Sequence, residues 1–393
     1  MKKTVCFYFQ VHQPYRLRQF RFFDIGKSDY YFDDFANRNY MERISARCYL
    51  PMNTLILNLI HEFQGNFKVA YSISGIALEQ FQKYAPQVLK SFQELANTGC
   101  VEFLAESYAH SLSSLASEKE FQNQVRLHAQ TIEELFGQKP RSFRNTELIY
   151  SDTIGASVAD MGYQTMLVEG AKHILGWKSP NYLYTNAINP KCKLLLRNFN
   201  LSDDIAFRFS NVAWDGWPLT TEKFVGWLNQ AAESDEIINL FMDYETFGEH
   251  QPISTGIFEF MRHLPAAILE REAIELLTPS EAATKHQPIA PLHVPFPISW
   301  ADEERDVSAW IGNELQNEAY SKLYDLEEAV LANNTPWALA NFRALQASDH
   351  FYYMCTKFFS DGAVHKYFNP YNSPYEAFIN YMNVVSDFGN RIR

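Results

Sequence analysis

Two acidic residues sit at the ends of strongly apolar runs. Glu147 lies in Phe143-Arg-Asn-Thr-Glu-Leu-Ile-Tyr150, and Asp243 in Ile238-Asn-Leu-Phe-Met-Asp-Tyr-Glu-Thr-Phe-Gly-Glu-His250. A carboxylate at the C-terminal end of a buried strand is costly to bury, so it usually has a task there. Two of them from well-separated strands suggest a converging acid/base or nucleophile/acid pair. Two unrelated buried ion pairs are the structural alternative. The period-2 geometry of the later strand puts Glu245 on the same face as Asp243. Neighbouring carboxylates raise one another's pKa, which helps keep one protonated near neutral pH.

Other apolar runs end in polar clusters too, at His12-Gln13-Pro14, at Ser74 through Glu79, and at Glu106-Ser107 followed by His110, and the Asp243 cluster extends to Glu249-His250. A single such histidine is more often a satisfied structural residue than a catalyst. Five clusters at successive strand ends point to a shared active face. His12, His110, Asp243 and His250 leave open a zinc site of the deacetylase type. However, no HxxH or HxxxH pair lies near a strand-end Asp, so no catalytic metal and no cofactor are expected. There is no Gly-x-Ser-x-Gly elbow and no phosphate-binding Gly-rich loop.

These residues need a scaffold that brings strand ends together. Strand patterns recur at Thr4–Val11, Phe67–Ser72, Val101–Ala105, Ser142–Asn145, Gln164–Val168, Leu194–Asn198, Ile205–Phe209, Ile237–Met242 and Ile274–Leu277. Helical patterns fall between them, at Met52–Phe63, Gly75–Ala96 with an interruption at Pro86, and Glu118–Phe136. This alternation predicts parallel βαβ units, closed as a barrel rather than left as an open sheet. Ile237–Met242 is a near-continuous apolar run, broken only by Asn239, as expected of a strand buried on both faces. Four prolines within Lys285–Pro297 exclude a helix or a central strand there. Beyond them Asp306–Ala332, Pro336–Phe359 and Pro374–Phe388 read as helices. The division expected is a barrel over residues 1–297 and a helical bundle over 298–393.

Bulk properties narrow the function class. The net charge is −12 with no basic stripe, which argues against nucleic acid and anionic membranes. The Arg16–Arg21 stretch runs straight into acidic residues and reads as a loop. The five cysteines include no CxxC pair, which suits reduced thiols, and no apolar run reaches transmembrane length. A cytoplasmic enzyme is expected. With 31 Phe, 22 Tyr and 7 Trp, the chain has aromatics for its core and for a ring-binding cleft.

At this point the sequence resembles a known family. His12-Gln13-Pro14 is similar to the opening signature of glycoside hydrolase family 57, and Ser74-Gly75 to Glu79 to its second motif. Asn145-Thr146-Glu147-Leu148 resembles the segment bearing the family's nucleophile, and Phe241 through His250 the segment bearing its acid/base. Trp300-Ala301-Asp302 through Asn313 resembles the last motif, and Ser348 through Tyr353 its short α-amylase branch. Many members carry a histidine two residues before His12, where this chain has Gln10.

The resemblance implies an incomplete (β/α)7 barrel followed by a C-terminal helical bundle that contributes to the cleft. It implies a retaining enzyme acting on an α-glucan or maltooligosaccharide, with Glu147 as nucleophile and Asp243 as acid/base. His12, Glu79, His110, Trp214, Glu245, Trp300, Asp302 and Trp310 are the implied or candidate substrate contacts. A 4-α-glucanotransferase would use the same pair. A zinc-dependent deacetylase and a non-catalytic glucan-binding protein are the other readings.

Overall fold

The first strand of the chain is also the most heavily paired. The computed structural model describes residues 2–230, 235–271, 273–357 and 368–393. Among these the strands are β1 (Lys3–Val11), β2 (Val69–Ile73), β3 (Val101–Phe103), β4 (Ser142–Arg144), β5 (Thr165–Glu169), β6 (Tyr184–Asn186), β7 (Lys193–Arg197), β8 (Ile237–Asp243), β9 (Ile274–Leu276) and β10 (Ala290–Leu292). β1 pairs in parallel with β2, β8 and β9, and its register with β8 runs from Thr4↔Ile237 to Gln10↔Asp243. Parallel pairing links seven strands in the order β4-β5-β7-β8-β1-β2-β3. One further parallel bridge, Ala105 to Phe143, joins the chain just past β3 to β4.

The Pro-rich segment does contain a strand, but only at the edge. β10 pairs with β6 alone, and β6 is antiparallel to β7. An edge position is where a proline, here Pro291, costs no central ladder bond.

Because the seven strands run parallel, their C-terminal ends point the same way. His12, Ser74, Glu106, Glu147 and Asp243 all follow or close such ends. β8 is buried over six of its seven residues, and only Asp243 at its end is partly open.

One strand expectation changes. Ile205–Phe209 is not a strand: helix Phe199–Ala206 ends within it, and residues 207–209 turn away. The Asn198 side chain caps it by accepting from the Leu201 N–H, and Leu201, Ile205 and Ala206 form its buried face. The acidic residues after the Arg16–Arg21 loop open a helix, Asp34–Ile44, capped by Asp33 on the Ala36 N–H.

The C-terminal region is helical as expected, in shorter pieces. Asp306–Ala332 resolves into helices Ser308–Ile311, Glu314–Tyr324 and Glu327–Asn333, with Asn313 capping the second through the Gln316 N–H. Pro336–Leu345 ends early and the chain resumes as Ser348–Tyr352; Phe358 and Phe359 lie outside the described residues. The break has a tertiary cause. Ala347 bridges to Ser111, and the Ser348 N–H donates to the His110 carbonyl at 3.0 Å.

One apolar cluster joins the sheet to these helices. It contains Phe143, Met166 and Leu194 together with Trp310, Phe342 and Phe388. Among the described residues no helix is long and apolar enough to cross a membrane.

Candidate active site

The turn after β4 presents Glu147 in an unusual way. Residues Thr146–Leu148 form one 3-10 turn in which Glu147 (φ 55°, ψ 26°) and Leu148 (φ 54°) both occupy the left-handed region. Such a conformation costs a non-glycine residue on the order of 1–3 kcal/mol and persists only where its surroundings hold it. The Asn145 side-chain amide donates to the Ile149 carbonyl and to Ser114 Oγ, both at 2.9 Å, and the Trp300 N–H donates to the Glu147 carbonyl at 3.1 Å. With the backbone locked, Glu147 receives two side-chain donors. Trp300 Nε1 donates to Oε2 at 2.6 Å, and His110 Nε2 lies 3.2 Å from Oε1.

His110, itself at φ 52°, bridges two carboxylates, with its Nδ1 2.9 Å from Glu106 Oε2. Burial disfavours its charge, but the hydrogen bonds it donates to Glu106 and Glu147 outweigh this and raise its pKa to about 9. Burial likewise pushes the Glu106 carboxyl up, yet its bond to His110 holds it down at about 2. His110 is therefore a cation that donates from both nitrogens.

The His12 ring stacks on it with centroids 4.0 Å apart. Burial, then the charge of His110, lowers the His12 pKa, so His12 is the neutral member of the stack. Its Nε2–H donates to Asp349 Oδ2 at 2.8 Å, and its Nδ1 accepts from Ser74 Oγ at 2.7 Å. Ser74 Oγ can accept from the Ala77 N–H at the same time, as the cap of helix Gly75–Tyr84. Every ring nitrogen of the stack thus already has a hydroxyl or carboxylate partner. Among the described residues no group of three or more His, Cys, Asp or Glu side chains is placed to hold a metal ion.

Asp243 differs from Glu147 in its electrostatics. Burial, then the negative charge of Glu147, pushes its carboxyl up to about 6, while Arg144, His110 and Arg197 pull it back. Burial also opposes ionisation of Glu147, but its bond to His110, the charges of His110 and Arg144, and the Trp300 donor bring its pKa below the usual range. The two carboxyls are thus driven apart: Glu147 toward its ionised form and Asp243 toward its acid form.

This arrangement fits what the chain is similar to. A model of glycosyl hydrolase family 57 matches residues 6–295. The chain belongs to that family. A relative from Methanocaldococcus jannaschii, described as a "Putative alpha-amylase", is 42% identical over 98% of this chain and 84% of its own length. The GH57-type branching enzyme of Pyrococcus horikoshii shares the fold, at a TM-score of 0.71 and 15% identity over 93% of this chain and 88% of that one. So does the 4-alpha-glucanotransferase of Thermococcus litoralis, at a TM-score of 0.69 and 17% identity over 89% of this chain. The family 57 chain spans only 56% of that transferase's length. It is accordingly a glycoside hydrolase.

Not every residue singled out in this family 57 chain reaches the carboxylate pair. His12, His110 and Trp300 belong to its network. Glu79 lies on helix Gly75–Tyr84 and accepts from Tyr108 Oη at 2.8 Å. Glu245 is buried, bonded by Tyr49 Oη, and pushed up to about 8 by burial and by Asp243. β8 gives way to a 3-10 turn at Tyr244, so the strand period that put Glu245 on the face of Asp243 does not extend to it. Trp214 packs against Trp227, with Arg208 over its ring. Asp302 is buried, and its charge acts on Cys355. Trp310 is 1% exposed and packs on Tyr352, a core position rather than a wall of the cleft.

Gln10 is buried beneath the site, accepting from Tyr8 Oη and Ser72 Oγ, each at 2.7 Å. Asp349, Arg144 and the anchoring role of Glu106 were not read from sequence. Glu106 was visible as a strand-end carboxylate; Asp349 meets His12 only through the tertiary fold.

Proposed function

We propose that the chain is a retaining glycosidase acting on α-1,4-glucans, of the α-amylase type. Glu147 attacks the anomeric carbon and forms a glycosyl-enzyme. Asp243 protonates the departing glycosidic oxygen, then takes a proton from the water that releases the sugar. His110 and Trp300 keep Glu147 ionised and aimed. The observation that carries this reading is the asymmetry of the pair: two donors favour the anion of Glu147, while burial and that same anion favour the acid form of Asp243. A nucleophile and a general acid need those opposite states at one pH.

The family assignment and the M. jannaschii relative support glucan chemistry, and likeness to amylase and glucanotransferase folds is compatible with it. In this reading His12, Glu79 and His110 are the proposed contacts for sugar hydroxyls. The test is a product time course on maltooligosaccharides of one defined length. Products no longer than the substrate identify a hydrolase. Products longer than the substrate would reassign the same pair to 4-α-glucan transfer, and no turnover of any glucan would remove the proposal.

A further inference from the structure

Arg144 closes β4, three residues before Glu147, and is fully buried. None of its guanidinium nitrogens is hydrogen-bonded to a described residue. That is unusual for a buried cation, because desolvated charge is normally paired. What it has instead is a ring: its guanidinium carbon lies 4.9 Å from the Trp300 centroid. Arg197, at the end of β7, places a second guanidinium carbon 5.6 Å from the same ring.

The two arginines are not equivalent. Arg197 is bonded to Glu169 at 3.2 Å, to Asp203, and to the Phe241 carbonyl at 2.8 Å, so its charge is locally matched. The charge of Arg144 is not committed to any one partner. The ring on which both act is the one whose N–H donates to Glu147 Oε2.

We propose that Arg144 is a positioning residue for the two-carboxylate reaction. It holds the Trp300 indole against Glu147 by cation–π attraction and supplies one shared positive charge to both carboxylates. Cations within about 6 Å of an indole centroid are attracted to its face, most strongly when desolvated. A cation near the ring also draws on its electrons, which makes the N–H a better donor to an anion. The same charge favours the ionised forms of Glu147 and Asp243. The groups acting on Asp243 are Glu147, Arg144, His110, Arg197 and Glu245, with Tyr8 from β1 also coupled to it. Among the cations in that set, Arg144 alone has no carboxylate of its own to neutralise it.

The inference rests on the proposed function, and the experiment separates the two. Wild type, Arg144→Met and Arg144→Lys are compared on a maltooligosaccharide and on α-maltosyl fluoride, with circular dichroism to check folding. Arg144→Met should move the alkaline limb of kcat/KM upward by about one pH unit, because Asp243 loses a nearby cation. Its rate of glycosyl-enzyme formation should fall about a hundredfold. Arg144→Lys should return the limb toward wild type. If Arg144→Met does not fold, Trp300→Phe, which keeps a ring and removes the N–H, should lose glycosylation rate to a similar extent, and a near-normal rate there would overturn the proposal. An active wild type with an unmoved limb in folded Arg144→Met overturns the inference alone. A wild type inert on both substrates overturns the function and the inference together.

Discussion

At the scale of single residues, chemistry follows from opposite treatment of two carboxyls. Replacing Glu147 by Gln keeps its volume but removes the proposed nucleophile, and its amide oxygen can accept from only one of the two donors, Trp300 and His110. Activity should fall on the order of 10⁴-fold or more with unchanged circular dichroism, and near-normal turnover would end its assignment. The pH profile gives a second reading. Asp243 must be protonated in the free enzyme and titrates at about 6, so kcat/KM should decline as pH rises through that value. On the acid side the loss should come only below the ordinary glutamate range, because Glu147 must be ionised and its pKa is lowered. A profile flat across about pH 5–8 would remove Asp243 from the acid role.

Azide distinguishes the two residues by product anomer. In Asp243→Ala on an α-glycosyl fluoride, azide should displace Glu147 from the glycosyl-enzyme and give the α-azide after two inversions. In Glu147→Ala it should attack the fluoride directly and give the β-azide after one. NMR of the isolated azides decides, and the same anomer from both would contradict the double displacement.

Both carboxylates were legible in the sequence because a charge that closes an apolar run stands out. Glu245 was misjudged because a two-residue period was carried past the point where the strand turns.

At the scale of elements, the site depends on turns that hold awkward backbone. Glu147, Leu148 and His110 all have positive φ without being glycine. Asn145 secures the first two by donating to the Ile149 carbonyl. Asn145→Ala should cost about 1–3 kcal/mol in urea unfolding by leaving a buried acceptor unpaired. It should lower kcat more than it changes KM, since the turn aims the nucleophile. An unchanged kcat would show that the turn is held by other means.

The positions of most strands and the helices flanking Pro86 are readable from apolar period and proline. The break at Gln346–Ala347 was not, because its cause is pairing with Ser111 and His110, more than two hundred residues upstream. The misread at Ile205–Phe209 has a similar origin: a short apolar run looks the same in a strand and on one face of a capped helix.

For the whole molecule, we propose that the division at Pro297 is one of chain order and not of function. Trp300 donates to Glu147 and Asp349 accepts from His12, so residues beyond that point complete the site. The apolar cluster shared by the sheet and the C-terminal helices points the same way. A chain ending at Pro297 should therefore aggregate or bind a hydrophobic dye, and should show no glucan turnover. A soluble, monomeric, fully active fragment would make the helical region an independent module.

The pairing of β1 has a consequence during synthesis. Thr4 through Gln10 leave the ribosome well before their β8 partners, Ile237 through Asp243, which follow more than two hundred residues later. At about 5–20 residues per second that is a delay of roughly 10–50 s. β2 can join β1 early, but the opposite edge of an almost wholly buried strand waits open until β8 emerges. The nascent chain therefore carries an unpaired, apolar β1 edge for longer than it takes to make many smaller proteins, and that edge is where a chaperone, or a neighbouring nascent chain, would first engage it.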